Sequence, residues 1–159
     1  ICLTVADGEH QKEAARLISS EINSTYYFSR KDAAMAQAKA VSTQERARVL
    51  TMAVVRAAEK MGITGRDLAT ILGVSEPTVS RMRKDEFRLE EGTKPFELGA
   101  LFVRLFRSLD AITGGDGKVA HAWLRNENRA LGGRPLDQIK TIAGLTHGLA
   151  YLDSRRAPL

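Results

Sequence analysis

Apolar residues recur at helical spacing along most of the chain, and this pattern predicts an all-α fold. The first clear stripe follows Ser42, which is expected as the N-cap of a helix, with Glu45 completing a capping box. Gly62 is expected to end this helix. Its inward stripe consists of Ala47, Leu50, Val54, Ala57, Ala58 and Met61. A later stripe from Pro95 to Leu109 is so apolar that it predicts a helix in the core.

The last third of the chain is predicted to form shorter helices joined by turns. A helix is expected over 118–124, and a turn with two glycines and a proline over 130–136. Thr141 is expected to cap a final helix over 143–152. The remaining residues, 153–159, are predicted to form a short basic tail stiffened by a proline.

The stretch from Gly65 to Lys84 predicts two short helices joined by a tight turn, the helix-turn-helix that sets a helix into the DNA major groove. Ala69 is small where the two helices approach each other, and Gly73 stands at the reversal, where glycine adopts positive φ without a steric penalty. Ser75 is expected as the N-cap of the second helix. The apolar residues spaced to join the two helices are Leu68, Leu72, Val74, Val79 and Met82.

The outward positions of the second helix carry short polar groups followed by cations, which suit contacts with base edges and phosphates. The candidate DNA-binding residues are Ser75, Glu76, Thr78, Ser80, Arg81, Arg83 and Lys84. An ordinary helical hairpin without a nucleic-acid ligand is the alternative, because residues 64–94 carry six Lys/Arg against six acids. The apolar, small and turn positions all agree with a helix-turn-helix, so operator DNA is the predicted partner of this segment.

Composition argues against several kinds of site. The chain has 159 residues, 43% of them hydrophobic, and a net charge of +5, which permits a nucleic-acid partner without requiring one. Its one cysteine, Cys2, argues against a disulfide framework and a cysteine-based metal site. The three histidines lack a clear carboxylate companion and make a poor metal site. No metal, cofactor or catalytic residue is predicted, and the absence of a signal-peptide pattern favours the cytoplasm.

A glycine-rich stretch over 113–117 is the best candidate for a domain boundary. We therefore expect a first segment, 1–41, whose role is left open, a helix-turn-helix domain over 42–113, and a small helical domain over 114–159. Positive charge is concentrated at the C-terminal end, since residues 118–159 carry seven Lys/Arg against three acids. This excess lies away from the recognition helix and needs an explanation of its own.

The C-terminal domain carries a specific sequence pattern. It consists of Trp123-Leu124, Asn126, the run NRALGGRPL that begins at Asn128, and Tyr151-Leu152. With the helix-turn-helix before it, this pattern resembles the toxin-binding domain of Xre/MbcA/ParS-family antitoxins. The resemblance covers roughly residues 43–159, and its C-terminal half is the more specific part.

The resemblance implies an antitoxin that is not an enzyme. Such proteins bind a RES-domain toxin that degrades or phosphorolyses NAD, cover its active-site cleft, and often repress their own operon through the helix-turn-helix. The implied toxin-binding residues are Trp123, Asn126, Asn128, Arg129, Arg134, Tyr151, Ser154, Arg155, Arg156 and Leu159. The tail is expected to enter the toxin, where its arginines form bidentate pairs with carboxylates and the terminal carboxylate contacts a site that holds phosphates.

Some of these residues also fit other roles. Trp123 also fits a core anchor, and the terminal arginines also fit a solvated tail. The alternative function is a stand-alone transcriptional regulator whose C-terminal domain dimerises or binds a small ligand. Such a ligand sensor would have an enclosed pocket, whereas an antitoxin would have an exposed surface. A homodimer is expected because helix-turn-helix proteins usually bind two half-sites, with the helix over 95–112 as the expected contact.

Overall fold

The structure, a computed structural model, describes residues 42–156. Predictions made for residues 1–41 and for Leu159 lie outside the described residues. Within 42–156 the helices are α1 over 42–60, α2 Gly65–Leu72, α3 Glu76–Arg83, α4 Lys94–Ile112, α5 Gly117–Arg125, α6 Pro135–Gln138 and α7 Ile142–Arg156. This part of the chain has no β-strand, only an isolated bridge between Asn128 and Gly133. The predicted all-α fold is confirmed.

α1 buries its predicted apolar stripe and ends where predicted. Gly62 follows it with a φ of 63°, a left-handed conformation that lets the chain turn toward α2. Ser42 is itself helical, so its prediction as the N-cap residue is wrong. Thr51 is a buried polar residue of α1, and its Oγ1 accepts a hydrogen bond from the Leu89 backbone N–H at 2.9 Å. This bond attaches the connection between α3 and α4 to the first helix.

Residues 43–156 belong to one compact unit. Among the helices α2 to α7, the most extensive packing is that of α4 against α7. Large buried side chains of the core are Val54, Met61, Leu68, Leu72, Phe102, Leu105, Leu124, Leu145 and Leu152. Both predicted domains contribute to this core. The two predicted domains therefore share one hydrophobic core in the described residues. The domain boundary near residue 113 stays a prediction from the sequence.

The apolar face of α4 is used within this unit. Phe102, Leu105 and Leu109 are at most 1% exposed, and Lys60 Nζ lies 5.8 Å from the centre of the half-buried Phe106 ring. The predicted dimer contact on this helix rests on the same apolar residues. These residues are core, whereas the outer side of α4, with Ala111 and Ile112, is exposed. A dimer contact on α4 stays a prediction.

The capping residues explain where α5 and α7 begin. Asp116 accepts a hydrogen bond from the Lys118 backbone N–H at 2.8 Å, and α5 extends one residue beyond its predicted range at each end. Thr141 accepts a hydrogen bond from the Gly144 backbone N–H at 3.0 Å, which confirms it as the cap of α7. The single-turn helix α6 between them was not predicted.

α7 continues to Arg156, so the prediction of a tail beginning at Asp153 is wrong. The physical reason is a tertiary contact. The Asp153 carboxylate accepts hydrogen bonds from Arg104 Nη2 at 2.7 Å and from the buried Ser108 Oγ at 2.8 Å, both on α4. This contact holds the last turns of α7 against α4, so that Arg155 lies on a helix rather than in a tail.

Candidate DNA-binding and partner-binding surfaces

α2 and α3 form the predicted helix-turn-helix. Gly73 ends α2 with a φ of 67°, a conformation that glycine adopts without steric cost. The Ser75 side chain then accepts a hydrogen bond from the Thr78 backbone N–H at 3.3 Å, which makes Ser75 the N-cap of α3. Ala69 of α2 and Val79 of α3 are buried in the core. The turn and the cap are therefore confirmed where the sequence predicts them.

The predicted DNA-binding side chains do not all face outward. Those that are exposed are Ser75, Glu76, Ser80, Arg81, Arg83 and Lys84. Thr78 is only 8% exposed, so its predicted outward orientation is wrong. Its Oγ1 lies 2.8 Å from Ser75 Oγ and accepts a hydrogen bond from Arg81 Nη2 at 3.3 Å. The cap geometry turns the third residue of the helix back toward the N-cap, so Thr78 supports its neighbours.

Arg81 is held from two sides. Besides its bond to Thr78, its guanidinium carbon lies 5.3 Å from the centre of the Phe87 ring, a distance typical of a cation–π interaction. Phe87 follows α3 and is half-buried. A guanidinium that is already oriented loses less conformational entropy when it binds a guanine edge. The Arg81 guanidinium is thus oriented before any contact with a base. The role of Phe87 in this orientation is not indicated by any periodic pattern in the sequence.

Ion pairs make this surface more positive than its composition suggests. The acids within 64–94 that bind a cation are Asp67 with Lys140, Glu76 with Arg66, Asp85 with Arg48 and Glu91 with Arg46. Within 42–156, Arg81, Arg83 and Lys84 form no ion pair with a carboxylate. The balanced charge count that supports an ordinary hairpin therefore underestimates the positive charge that α3 offers to phosphates.

Three of the predicted toxin-binding residues meet in one stack. Trp123 of α5 and Tyr151 of α7 have ring centroids 6.5 Å apart and ring planes that differ by 20°. The guanidinium carbon of Arg155, one helical turn further along α7, lies 5.3 Å from the centre of the Tyr151 ring. Both rings are half-buried and Arg155 is exposed. Trp123 is therefore packed and partly accessible at once, and its role in toxin binding stays a prediction.

The loop between α5 and α6 is a closed turn organised by Asn128. Its backbone N–H donates to the Gly133 carbonyl at 3.0 Å, and the Gly133 N–H donates back at 3.2 Å. The Asn128 side-chain oxygen accepts hydrogen bonds from the Ala130 and Leu131 N–H groups at 3.0 and 3.3 Å. Gly132 and Gly133 both have positive φ, which confirms the predicted turn. The Asn128 oxygen is thus already occupied within the loop.

The other predicted toxin-binding residues differ in what their side chains already contact. Arg134 forms an ion pair with a neighbouring aspartate at 2.7 Å. The Ser154 hydroxyl donates to the Tyr151 carbonyl at 2.7 Å, which uses it within the helix. Asn126 and Arg129 are exposed. Of the predicted toxin-binding residues in the loop, Asn126 and Arg129 therefore remain the most available to a partner.

Lys140 joins the helix-turn-helix to the C-terminal helices, and no sequence pattern indicates it. Its Nζ lies 2.9 Å from Asp67 Oδ1 of α2 and 3.2 Å from Asp137 Oδ1 of α6. The hydrogen bond from Lys140 lowers the pKa of Asp67, and the same bond raises the pKa of Lys140. A hydrogen bond from Lys140 also lowers the pKa of Asp137. All three groups are therefore charged over a wide range of pH.

A second contact joins the same two parts of the unit. Arg125 Nη2, at the end of α5, donates a hydrogen bond to the Gly62 carbonyl at 2.9 Å. A Cβ atom on Gly62 would lie 2.6 Å from His121 Cδ2. α5 therefore packs closely against the turn that precedes α2, and Gly62 is required both by its φ and by this close approach.

Comparison with known protein families accounts for both parts of the chain. Residues 40–104 match the antitoxin Xre-like helix-turn-helix domain. Residues 108–157 match the antitoxin Xre/MbcA/ParS C-terminal toxin-binding domain. The chain belongs to the Xre/MbcA/ParS antitoxin family. It is an antitoxin of a toxin–antitoxin system, which agrees with the resemblance found in its sequence. The comparison with curated proteins gave no match.

Membership of this family indicates a class of partner for each of the two domains. The helix-turn-helix domain indicates DNA as one partner, and the toxin-binding domain indicates a toxin as the other. Over residues 42–156 no group of three or more His, Cys, Asp or Glu side chains is placed to hold a metal ion. None of the helices described for this chain is long and apolar enough to cross a membrane.

Proposed function

We propose that this antitoxin neutralises a RES-domain toxin that consumes NAD, by binding the toxin and occluding its active site. It also forms a homodimer and represses its own operon through the helix-turn-helix. The observation that carries the proposal is the stack of Trp123, Tyr151 and Arg155 on the toxin-binding domain.

The stack has the chemistry of a protein-binding hot spot. Trp, Tyr and Arg are the residues that most often dominate the binding energy of protein interfaces. Here the two rings support each other, and the Tyr151 ring supports the Arg155 guanidinium. Side chains that are already ordered lose little conformational entropy on binding. A partner that covers this stack would bury two aromatic faces and a cation in one step.

The free cations of the toxin-binding domain suit an active site that cleaves a glycosidic bond. Arg125, Arg134 and Lys140 are engaged within the chain. Arg129 and Arg155 are exposed and form no ion pair with another described residue. The bond from nicotinamide to ribose in NAD is glycosidic, and enzymes that cleave such bonds commonly use carboxylates. Bidentate pairing of these two arginines with such carboxylates would block the entry of NAD.

The operator-binding surface in this proposal is the exposed side of α3. Arg83 and Lys84 supply the phosphate contacts, and Arg81, oriented by Phe87, supplies the base contact. The ion pair between Arg66 and Glu76 at 3.2 Å neutralises the carboxylate nearest the start of α3. This pairing removes a repulsive charge from the end of the helix that enters the major groove.

The alternative, a regulator with a small-ligand pocket in its C-terminal domain, has less support in the described residues. One groove of about 580 Å³ lies between the start of α1 and residues 85–91. Another of about 560 Å³ runs along the outer face of α4. Both are open to solvent and neither is lined by residues 114–156. An exposed protein-binding surface therefore fits this region better than a ligand cavity.

Co-expression in cells tests the proposed function. The neighbouring gene of the same operon is expressed alone and together with the antitoxin, while growth and cellular NAD are followed. We expect NAD to collapse when the neighbour is expressed alone and to be preserved when both are present. A harmless neighbour, together with a shift of the promoter DNA by this protein alone, would instead support the stand-alone regulator.

A further inference from the structure

The outward side of α1 presents a short ridge that combines apolar and charged residues. Val49 is 57% exposed and Met52 is 37% exposed, whereas Val54 on the opposite side is fully buried. Glu45 precedes Val49 by four residues and Arg56 follows Met52 by four, and both are exposed. Spacings of four, three and four residues place these side chains on one side of a helix. We call Glu45, Val49, Met52 and Arg56 the α1 ridge.

The α1 ridge is complementary to itself when two copies are antiparallel. A two-fold axis that passes between residues 50 and 51 places Glu45 of one copy opposite Arg56 of the other. The same axis places Val49 opposite Met52. An isologous contact repeats each pair, so the interface contains two opposite-charge pairs that flank two apolar pairs. A parallel arrangement would instead oppose Glu45 to Glu45 and Arg56 to Arg56, which is repulsive.

The charged ends of the ridge are available for this pairing. Within 42–156, Glu45 and Arg56 form no ion pair. The other arginines near the ridge have partners inside the chain, since Arg46 binds Glu91 and Arg48 lies 3.9 Å from the Asp85 carboxylate. Glu59, one turn beyond Arg56, is also exposed and forms no ion pair within 42–156. Glu45 and Arg56 are the two charges that lie at equal distances from the proposed axis, so they can select a partner and its orientation.

We propose that the α1 ridge is the homodimer contact of this antitoxin, formed with the antiparallel α1 of a second copy. This inference rests on the homodimer of the proposed function and names its surface. One ridge buries far less than the roughly 800 Å² per partner of a standard interface, so the free dimer is weak. Two operator half-sites hold two copies at high local concentration, so DNA strengthens the contact.

Charge reversal in the full chain tests the pairing. Sedimentation of the full-length protein is measured over about a hundredfold range of concentration, since a monomer–dimer equilibrium shifts by mass action. Glu45→Arg and Arg56→Glu each create two like-charge pairs, and each is expected to weaken the dimer at least about tenfold. The double variant Glu45→Arg/Arg56→Glu restores both pairs with reversed sign, so the dimer is expected to return.

Matched charge changes outside the ridge serve as controls. Glu86→Arg and Arg88→Glu alter the net charge equally at exposed positions after α3, and both are expected to dimerise like the unchanged protein. Circular dichroism checks that all variants remain helical. The proposal is overturned if the unchanged protein stays monomeric over the whole range, both alone and with DNA that carries two operator half-sites. It is also overturned if the single reversals have no effect or if the double variant stays monomeric.

Crosslinking identifies what covers the ridge. A benzophenone amino acid in place of Met52 is expected to give a covalent dimer joined through the two α1 helices. A crosslink within one chain to residues 1–41 would assign the ridge to that segment and overturn the proposal. Toxin neutralisation is measured on the same charge-reversed variants. Because the ridge is far in sequence from the toxin-binding stack, unchanged neutralisation separates failure of this dimer contact from failure of the proposed function.

Discussion

Lys140 Nζ lies 2.9 Å from Asp67 Oδ1, and this ion pair links the first turn of the helix α2 to the segment just before α7. Both side chains are mostly buried, at 29% and 19% exposed. Thr64, the N-cap of α2, also donates a hydrogen bond to the Asp67 carboxylate at 2.8 Å. The contact therefore joins the cap of a DNA-binding element to the toxin-binding domain.

Replacement of Lys140 by Met is expected to reduce the free energy of unfolding by roughly 1 kcal/mol, because the Asp67 carboxylate loses its main partner. The matched control is Lys94→Met, which removes an ion pair to Glu97 whose side chains are 75% and 60% exposed. That change is expected to have almost no effect. Chemical denaturation of both variants measures the difference, and equal effects would contradict the role given to Lys140.

The contribution of this pair depends on pH in a defined direction. The pKa of Asp67 is lowered from 3.8, so its contribution is complete above pH 3.8 and is lost as the pH falls through the lower folded value. The pKa of Lys140 is raised from 10.5, so its contribution is complete below pH 10.5 and is lost as the pH rises through the higher folded value. The effect of Lys140→Met is therefore expected to be constant between these limits and to shrink in acid.

Gly144 and Gly148 of α7 form a matched pair for testing the packing of the C-terminal domain. A Cβ atom on Gly144 would overlap the Gln138 carbonyl oxygen, whereas one on Gly148 would meet Leu105 Cδ1 at an ordinary 3.5 Å. Gly144→Ala is expected to cost about 3 kcal/mol, because backbone has to move. Gly148→Ala is expected to be neutral or to stabilise the helix by up to about 1 kcal/mol. Thermal unfolding measures both, and equal stability of the variants would show that this close approach is wrong.

Local signals in the sequence predicted most of the helices. The Gly73 turn and the caps at Ser75 and Thr141 each depend on one residue and its near neighbours, so they are visible without the structure. The end of α7 was not visible, because it depends on the contact of Asp153 with α4. The ion pair between Lys140 and Asp67 could not be predicted from the sequence for the same reason, because the two residues are far apart in the chain.

In the candidate sites, too, local features could be predicted from the sequence and tertiary contacts could not. Exposure of the recognition-helix cations was predicted from helical spacing, but the burial of Thr78 depends on its bond to the N-cap residue. Trp123 and Tyr151 were named from the resemblance to the antitoxin family. Their stacking follows from tertiary packing of α5 and α7, which no spacing within either helix reveals.

Arg155→Ala is expected to weaken toxin binding at least about tenfold, because Arg155 is exposed and its guanidinium is ordered by Tyr151. The control is Lys118→Ala, which removes an exposed cation from α5 without touching the stack. Calorimetry with the purified toxin measures both affinities. If both variants bind as tightly as the unchanged protein, the stack is not the toxin-binding surface.

Substitutions of Arg81 in α3 and of its C-cap residue Lys84 are expected to affect DNA binding differently. Lys84→Ala removes a proposed phosphate contact, so it should weaken binding to all sequences and reduce the slope of log affinity against log salt by about one. Arg81→Lys removes a bidentate donor that Phe87 orients, so it should weaken operator binding about tenfold and leave other DNA nearly unaffected. Fluorescence anisotropy with operator and scrambled DNA distinguishes the two effects. Equal losses on both DNAs for Arg81→Lys would contradict base contact by that residue.

The most direct test of the proposed active-site occlusion is inhibition of the purified toxin, a RES-domain protein in our proposal, at several concentrations of NAD. Occlusion predicts that the antitoxin raises the apparent KM for NAD and that excess NAD slows formation of the inhibited complex, with Arg155→Ala a weaker inhibitor of the same type. Inhibition that lowers kcat without any competition from NAD would contradict occlusion, and so would a toxin that remains active when saturated with the antitoxin.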